Sequence, residues 1–249
     1  MRDRDIDRGN ATVKGAWYAT GGNPWKDLWT LLHPPYTSMV LAFVTIGGCL
    51  APSFHADRLF WLVVAYLLGL GGTAHFLDES RGHPWGTGFS NRTLYLLAAI
   101  TLLPAMGIGF YYAFALSFAF LAFVVIETFF AFAYNLEWFG GRFHDDLWFS
   151  VSWAGFPFLA GYYLQALYLP TWTLLIAASL SSAAGVQITL SRWVKSYRRG
   201  GPISALEFVD GSRQKVTTQE LIRRPQRALK LIVYSVDLLA IALLIRSLT

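Results

Sequence analysis

Apolar residues along this chain gather into seven runs parted by short polar stretches. A helix that crosses a bilayer needs about 20 mostly apolar residues. That criterion places spans at roughly 35–52, 59–77, 93–112, 114–135, 147–168, 170–191 and 229–247. Two connections are very tight, with only Tyr112 and Ala113 between the third and fourth runs and Tyr168 to Pro170 between the fifth and sixth. Pro34 and Pro35 head the first run, where a missing N–H costs a helix nothing. Just before them Asn23 is placed to cap a helix that has Pro24 at its first position. Trp25, Leu28, Trp29 and Leu32 then share one face at i, i+3, i+4, i+7 spacing, which predicts a short helix lying in the membrane interface. Between the last two runs, Leu206–Val209 and Gln214–Val216 flank Asp210–Gly211, a hairpin signal. Thr217 and Glu220 follow with capping-box spacing for a short helix that Pro225 stops.

The pattern therefore predicts an all-α, polytopic helical membrane protein of about seven transmembrane helices. Its expected parts are an N-terminal segment with an interfacial helix (1–33), a six-helix bundle (34–191), a basic loop carrying a small hairpin-and-helix lid (192–228), and a seventh span (229–249). Composition narrows the class further. The 249 residues are 55% hydrophobic and 14% charged, whereas soluble domains carry about 25% charge. That excludes an ordinary soluble enzyme and a disordered chain. A disulfide-stapled secreted module is excluded as well, because Cys49 is the only cysteine. Residues 1–30 mix Arg2, Asp3, Arg4, Asp5, Asp7 and Arg8 with no early apolar run, so no cleavable signal is expected there.

A net charge of +5 would suggest nucleic acid in a soluble protein, but here placement matters more than the sum. Of the 20 Lys and Arg residues, 18 fall before the first span or in the loops after the second, fourth and sixth; the opposite side has Arg58 and Arg246. The positive-inside rule makes the crowded side cytoplasmic. The expectation is an integral membrane protein with its N-terminus inside and its C-terminus on the opposite side, surrounded by membrane lipids and with no nucleic-acid partner.

The polar residues that remain carry the candidate chemistry. His75, Asp78 and Glu79 end the second run at i, i+3 and i+4, on one helix face. Tyr134 and Glu137 leave the fourth span, Arg142, His144, Asp145 and Asp146 follow, and His33 stands at the entrance to the first. In one reading Asp78 and Glu79, with His75, hold a hard cation of the magnesium type that grips a diphosphate. Arg81, Arg142, Lys195, Arg198 and Arg199 would then neutralise phosphate oxygens. In the other reading these are ordinary solvated charges where helices meet water. A histidine-rich iron or zinc site lacks H-x-x-H or E-x-x-H spacing. Glu127 and Asp237 stand inside the fourth and seventh spans and must face protein or a polar cavity, since lipid exposure would cost several kcal/mol.

Several of these segments resemble the UbiA superfamily of intramembrane prenyltransferases, over about residues 24–200. Leu32-His-Pro-Pro35-Tyr-Thr37 is similar to the family's R-P-P-x-T opening of its first helix. Ala74-His75-Phe-Leu-Asp78-Glu79-Ser-Arg81-Gly82 falls on its first aspartate motif, N-D-x-x-D-x-x-x-D. The loop through Pro84, Gly88 and Asn91-Arg92-Thr93-Leu94 resembles the lead into its third helix, and Trp153 through Gln165 its fifth. Only Asp78 matches an acidic position of the first motif. Where the second aspartate motif would follow the sixth span, this chain has Ser191-Arg-Trp-Val-Lys195-Ser-Tyr-Arg198-Arg199, without a carboxylate. The family usually has nine spans.

The resemblance implies a UbiA-like bundle, with Asp78, Glu79 and His75 as catalytic residues and Asp78 and Glu79 as magnesium ligands. It further implies that Arg81, Arg142, Lys195, Arg198, Arg199 and Tyr134 bind the substrate. The enzyme would transfer a prenyl group from an isoprenoid diphosphate to a lipophilic acceptor. The degraded motifs imply an alternative, a non-catalytic subunit of a larger membrane complex that binds an isoprenoid or quinone-like lipid. A transporter built on Glu127 and Asp237 is less supported, because no inverted repeat is visible.

Overall fold

In a computed structural model the chain is almost wholly helical, and residues 16–199, 206–207, 210–214 and 216–249 are described. Arg2, Arg4, Arg8, Lys14 and the parts of the expected hairpin at 208–209 and 215 lie outside these residues. Helix α1 (Pro24–Leu31) starts where the sequence signals it: the Asn23 side chain accepts from the Lys26 backbone N–H at 2.9 Å and Pro24 is the first helical residue. Trp25 and Trp29 are exposed on its surface while Thr30 and Leu31 turn inward. His33, in a left-handed conformation (φ 45°), turns the chain into α2 (Pro34–Leu50).

Each apolar run is helical. After α2 come α3 (Ala56–Ser80), α4 (Asn91–Ala115), α5 (Leu121–Asn135, led by a 3₁₀ turn at Phe118–Phe120), α6 (146–166), α7 (Thr171–Arg199) and α8 (Thr218–Leu248). Five of the described helices are long and apolar enough to cross a membrane: α3, α4, the 118–135 unit, α7 and α8; α2 is apolar but shorter, at 17 residues. The chain is thus an integral membrane protein of the all-helical type by length and composition. Two helices are interrupted by π-helical turns, at Leu67–Ala74 within α3 and Val151–Gly155 within α6.

Two expectations about the basic segment need correcting. The basic segment does not begin as a loop after residue 191, because α7 continues as helix to Arg199. Pro225 does not stop a short helix either. The capping box of Thr217 and Glu220 forms as expected, but the helix it starts runs unbroken from Thr218 to Leu248 with Pro225 inside. An interior proline forfeits one backbone bond, and here that loss falls near the helix start, where the following apolar turns pack on α2 and α7. The expected hairpin is present in reduced form, Leu206–Glu207 pairing antiparallel with Arg213–Gln214.

α2 is the central helix, packed along α6, α8 and α3. Its contact with α6 is backbone against backbone: a Cβ built on Gly47 would lie 2.0 Å from the Phe158 carbonyl oxygen, and one on Gly161 2.2 Å from that of Val44. Around this seam Met39, Phe43, Ala154, Phe158, Ala184 and Val236 form one buried cluster, while Val40, Val44, Tyr66, Leu70 and Leu164 form another toward α3 and α4. A third cluster joins Ala16 and Tyr18 to Leu31, Phe76, Trp85 and Leu94, tying the segment before α1 to the α3–α4 loop.

Candidate functional site

Five chain segments converge at one end of the bundle around a polar cavity of about 150 Å³. They are the α1–α2 turn, the end of α3, the end of α5, the start of α6 and the last turns of α7. These are the ends that the charge count assigns to a single side. The first π turn prepares the α3 contribution. It carries Gly69, Gly71 and Gly72, and a Cβ on Gly71 would meet Thr37 at 2.8 Å, so the wide turn and the tight approach need glycine there. His75 follows directly, its Nδ1 donating to the Gly71 carbonyl oxygen at 3.0 Å. His33 donates from Nδ1 to the Leu31 carbonyl oxygen at 2.5 Å, and the two imidazoles stack with centroids 4.2 Å apart. Burial first, then the neighbouring His75, hold the His33 imidazole well below its ordinary pKa.

Asp78 is the acid that lines this cavity, together with Lys195 and His144. Lys195 sits 4.6 Å from the centroid of the Trp85 ring. Three residues before it, Arg192 pairs with Asp146 at 2.9 Å and reaches the Tyr134 hydroxyl. Tyr134 stacks on His144 (4.5 Å), and His144 Nδ1 donates to the Tyr134 carbonyl oxygen. The Tyr36 hydroxyl donates to Ser191 Oγ at 2.9 Å. The wall is completed by Phe149 stacked on Trp153, whose ring also stands 5.3 Å from His75. The Trp153 indole N–H is buried and has no hydrogen-bond partner among the described residues.

The structure brings together His75, Asp78, Tyr134 and Lys195, with the His33 and His144 that the sequence places beside them. It places the others elsewhere. Glu79 points away, fully buried, and accepts from Trp85 N (3.0 Å), Thr87 N (2.9 Å) and Thr87 Oγ1 (2.8 Å). Its carboxylate organises the α3–α4 loop. Arg81 pairs with Glu137 on the surface at 3.1 Å, and Arg142 is exposed outside the cavity. Arg198 donates to Gln226 of α8. The Arg199 side chain lies outside the described residues. Glu127 accepts from the Tyr66 hydroxyl at 3.0 Å, and Asp237 accepts from Ser38 Oγ at 2.9 Å, both within the bundle and away from the cavity.

Arg192 lines the cavity although the sequence did not single it out, while His33 and His144, noted there only by their place at the helix ends, join it. A usable signal existed for the first, since Ile188, Ser191, Arg192 and Lys195 recur at helical spacing on one face of α7. His33 and His144 are brought in by turns of the chain, which spacing does not reveal.

With Glu79 spent on the loop, Asp78 is the one carboxylate in the cavity lining, and no group of three metal-ligating side chains forms among the described residues. Of the two magnesium ligands expected, Asp78 alone lines the cavity, so any such ion would rest there on one carboxylate and on oxygens from a substrate. The arrangement can bind acceptor oxygens through Lys195, Arg192 and Trp153 while aromatic faces hold an apolar ring. Fold and cavity together define an integral, all-helical membrane protein with a polar, aromatic-walled cavity at one end of its bundle. No family model, curated protein or solved structure matches the chain.

Proposed function

We propose that this is a non-catalytic UbiA-like membrane protein that binds the head of a quinone-like lipid in the cavity around Asp78 and Lys195. The reading rests chiefly on the unpartnered Trp153 N–H in a wall that also offers Lys195, Arg192 and the stacked His33–His75 pair. A buried donor without an acceptor costs about 1–3 kcal/mol, and a ligand carbonyl oxygen would remove that cost. Ligand sites of this kind are aromatic-lined with a few placed polar groups. A diphosphate is a poorer match. It brings several negative charges into a cavity that already holds Asp78.

The test is binding of a decyl-tailed benzoquinone to the detergent-purified protein, followed by quenching of tryptophan fluorescence. Binding should be independent of magnesium and weakened roughly tenfold in Lys195→Met, the loss of one charge-assisted hydrogen bond. Absence of quinone binding would overturn the proposal. So would magnesium-dependent binding and turnover of geranyl diphosphate, which would restore the prenyltransferase reading.

A further inference from the structure

A second cavity, of about 80 Å³, lies among α3, α4 and α5 and shares no residue with the first. Its walls are apolar, formed among others by Leu62, Leu70, Met106, Phe123 and Val124, and it is only partly enclosed. Small residues make the room: Gly69 faces Ala105, and a Cβ added at Gly69 would only reach ordinary contact at 3.8 Å. Within this apolar lining stands Glu127. One carboxyl oxygen accepts from the Tyr66 hydroxyl; the other, Oε2, is buried and has no hydrogen-bond partner among the described residues.

Packing alone does not account for this acid. Three helices of an apolar bundle would pack as well around Gln or Leu, and an unsatisfied polar atom at membrane depth is costly. The terminal torsion of a glutamate is broad, so a small rotation presents Oε2 to the cavity while Oε1 keeps Tyr66. An occupant therefore needs one polar atom next to a hydrocarbon body. A hydroxyl suits it best, because it donates to a carboxylate and accepts from a carboxylic acid, and so fits either protonation state. The cavity is too small to enclose a long chain, but its open side lets a tail continue among lipid chains.

We propose that the α3–α4–α5 cavity is a lipid-facing site for a membrane-soluble aliphatic alcohol, whose hydroxyl bonds Glu127 and whose first carbons fill the space beside Met106 and Phe123. This site stands whether or not the quinone reading of the other cavity holds.

The experiment uses the full chain in lipid nanodiscs and photolabelling by octanol carrying an aliphatic diazirine, with the matching diazirine octane as control. Labelled residues are mapped by mass spectrometry. The alcohol should label α3, α4 and α5 around Glu127, and excess dodecan-1-ol should suppress that labelling while dodecane does not. Glu127→Gln should retain it; Glu127→Met, of similar shape, should reduce it about tenfold, the value of one buried hydrogen bond. Tyr66→Phe/Glu127→Met, which leaves no orphaned hydroxyl, guards against a folding defect and should behave as Glu127→Met does. Equal labelling by the alcohol and the alkane, equal competition by dodecane, or unchanged labelling in both Met variants would each overturn the proposal; the first two would mark the cavity as a site for lipid chains only.

Discussion

Asp78 and Glu79 are neighbours in the chain, and a helical wheel puts both beside His75, yet they do different work. A helix turns about 100° per residue, so the step from 78 to 79 suffices to carry one carboxylate into the cavity and the other into the α3–α4 loop. There Glu79 takes two backbone N–H groups and one hydroxyl that would otherwise be buried without acceptors. Sequence spacing could not separate these fates, because the deciding contact comes from a loop that folds back with Trp85 packed against Tyr18 and His33. The consequence is measurable. Glu79→Ala leaves buried donors unpaired and should lower stability by about 3 kcal/mol, with Glu79→Gln costing roughly half as much because one acceptor oxygen remains. Thermal unfolding in detergent should report a loss of several degrees for the alanine variant, with quinone binding at the cavity preserved in the fraction that stays folded. An unchanged melting temperature together with lost binding would show that Glu79 acts in the cavity after all.

At the scale of elements, each hydrophobic run falls on a helix, since the bilayer requirement for length and apolarity is strict, but the polar extensions of α7 to Arg199 and of α8 back to Thr218 lie outside the runs. What the runs did not reveal is how the helices meet. The seam between α2 and α6 depends on Gly47 and Gly161, each facing a carbonyl oxygen of the other helix at a distance no Cβ tolerates. Apolar burial contributes little between helices in a lipid solvent, so close backbone approach is a main source of association. Gly47→Ala and Gly161→Ala should each force the helices apart and cost more than about 2 kcal/mol, seen as aggregation or early unfolding during detergent extraction. Gly107, with nothing within 4 Å of its added Cβ and ordinary helical backbone, is the matched control. Gly107→Ala should be neutral or slightly stabilising through reduced chain entropy. Equal behaviour of all three variants would refute the packing argument. The π turns belong to the same scale. They were invisible as hydrophobic pattern, yet one ends immediately before His75 and the other contains Trp153, consistent with the tendency of such turns to sit at functional sites.

For the molecule as a whole, the distribution of charge makes a claim that helix positions alone leave open. The ends of α3, α5 and α7 meet the starts of α2 and α6 around one cavity; that this end looks into the cell is the expectation set by where Lys and Arg lie. If the rule holds, the cavity opens to the cytoplasm, and any soluble partner or proton donor reaches Asp78 and Lys195 from that side. Cys49 is the only cysteine and is buried, which makes cysteine mapping clean once it is replaced. In a Cys49→Ser background, Ser212→Cys in the exposed turn of the hairpin and Ser53→Cys in the exposed α2–α3 loop lie on opposite predicted sides. A membrane-impermeant maleimide should label Ser53→Cys in intact cells and Ser212→Cys only after the membrane is opened. The reverse pattern would invert the topology and put the polar cavity outside the cell. A lipid whose head is handled in the cytoplasm would then have no direct route to Lys195, and the quinone-binding proposal would have to be rebuilt around an extracytoplasmic ligand.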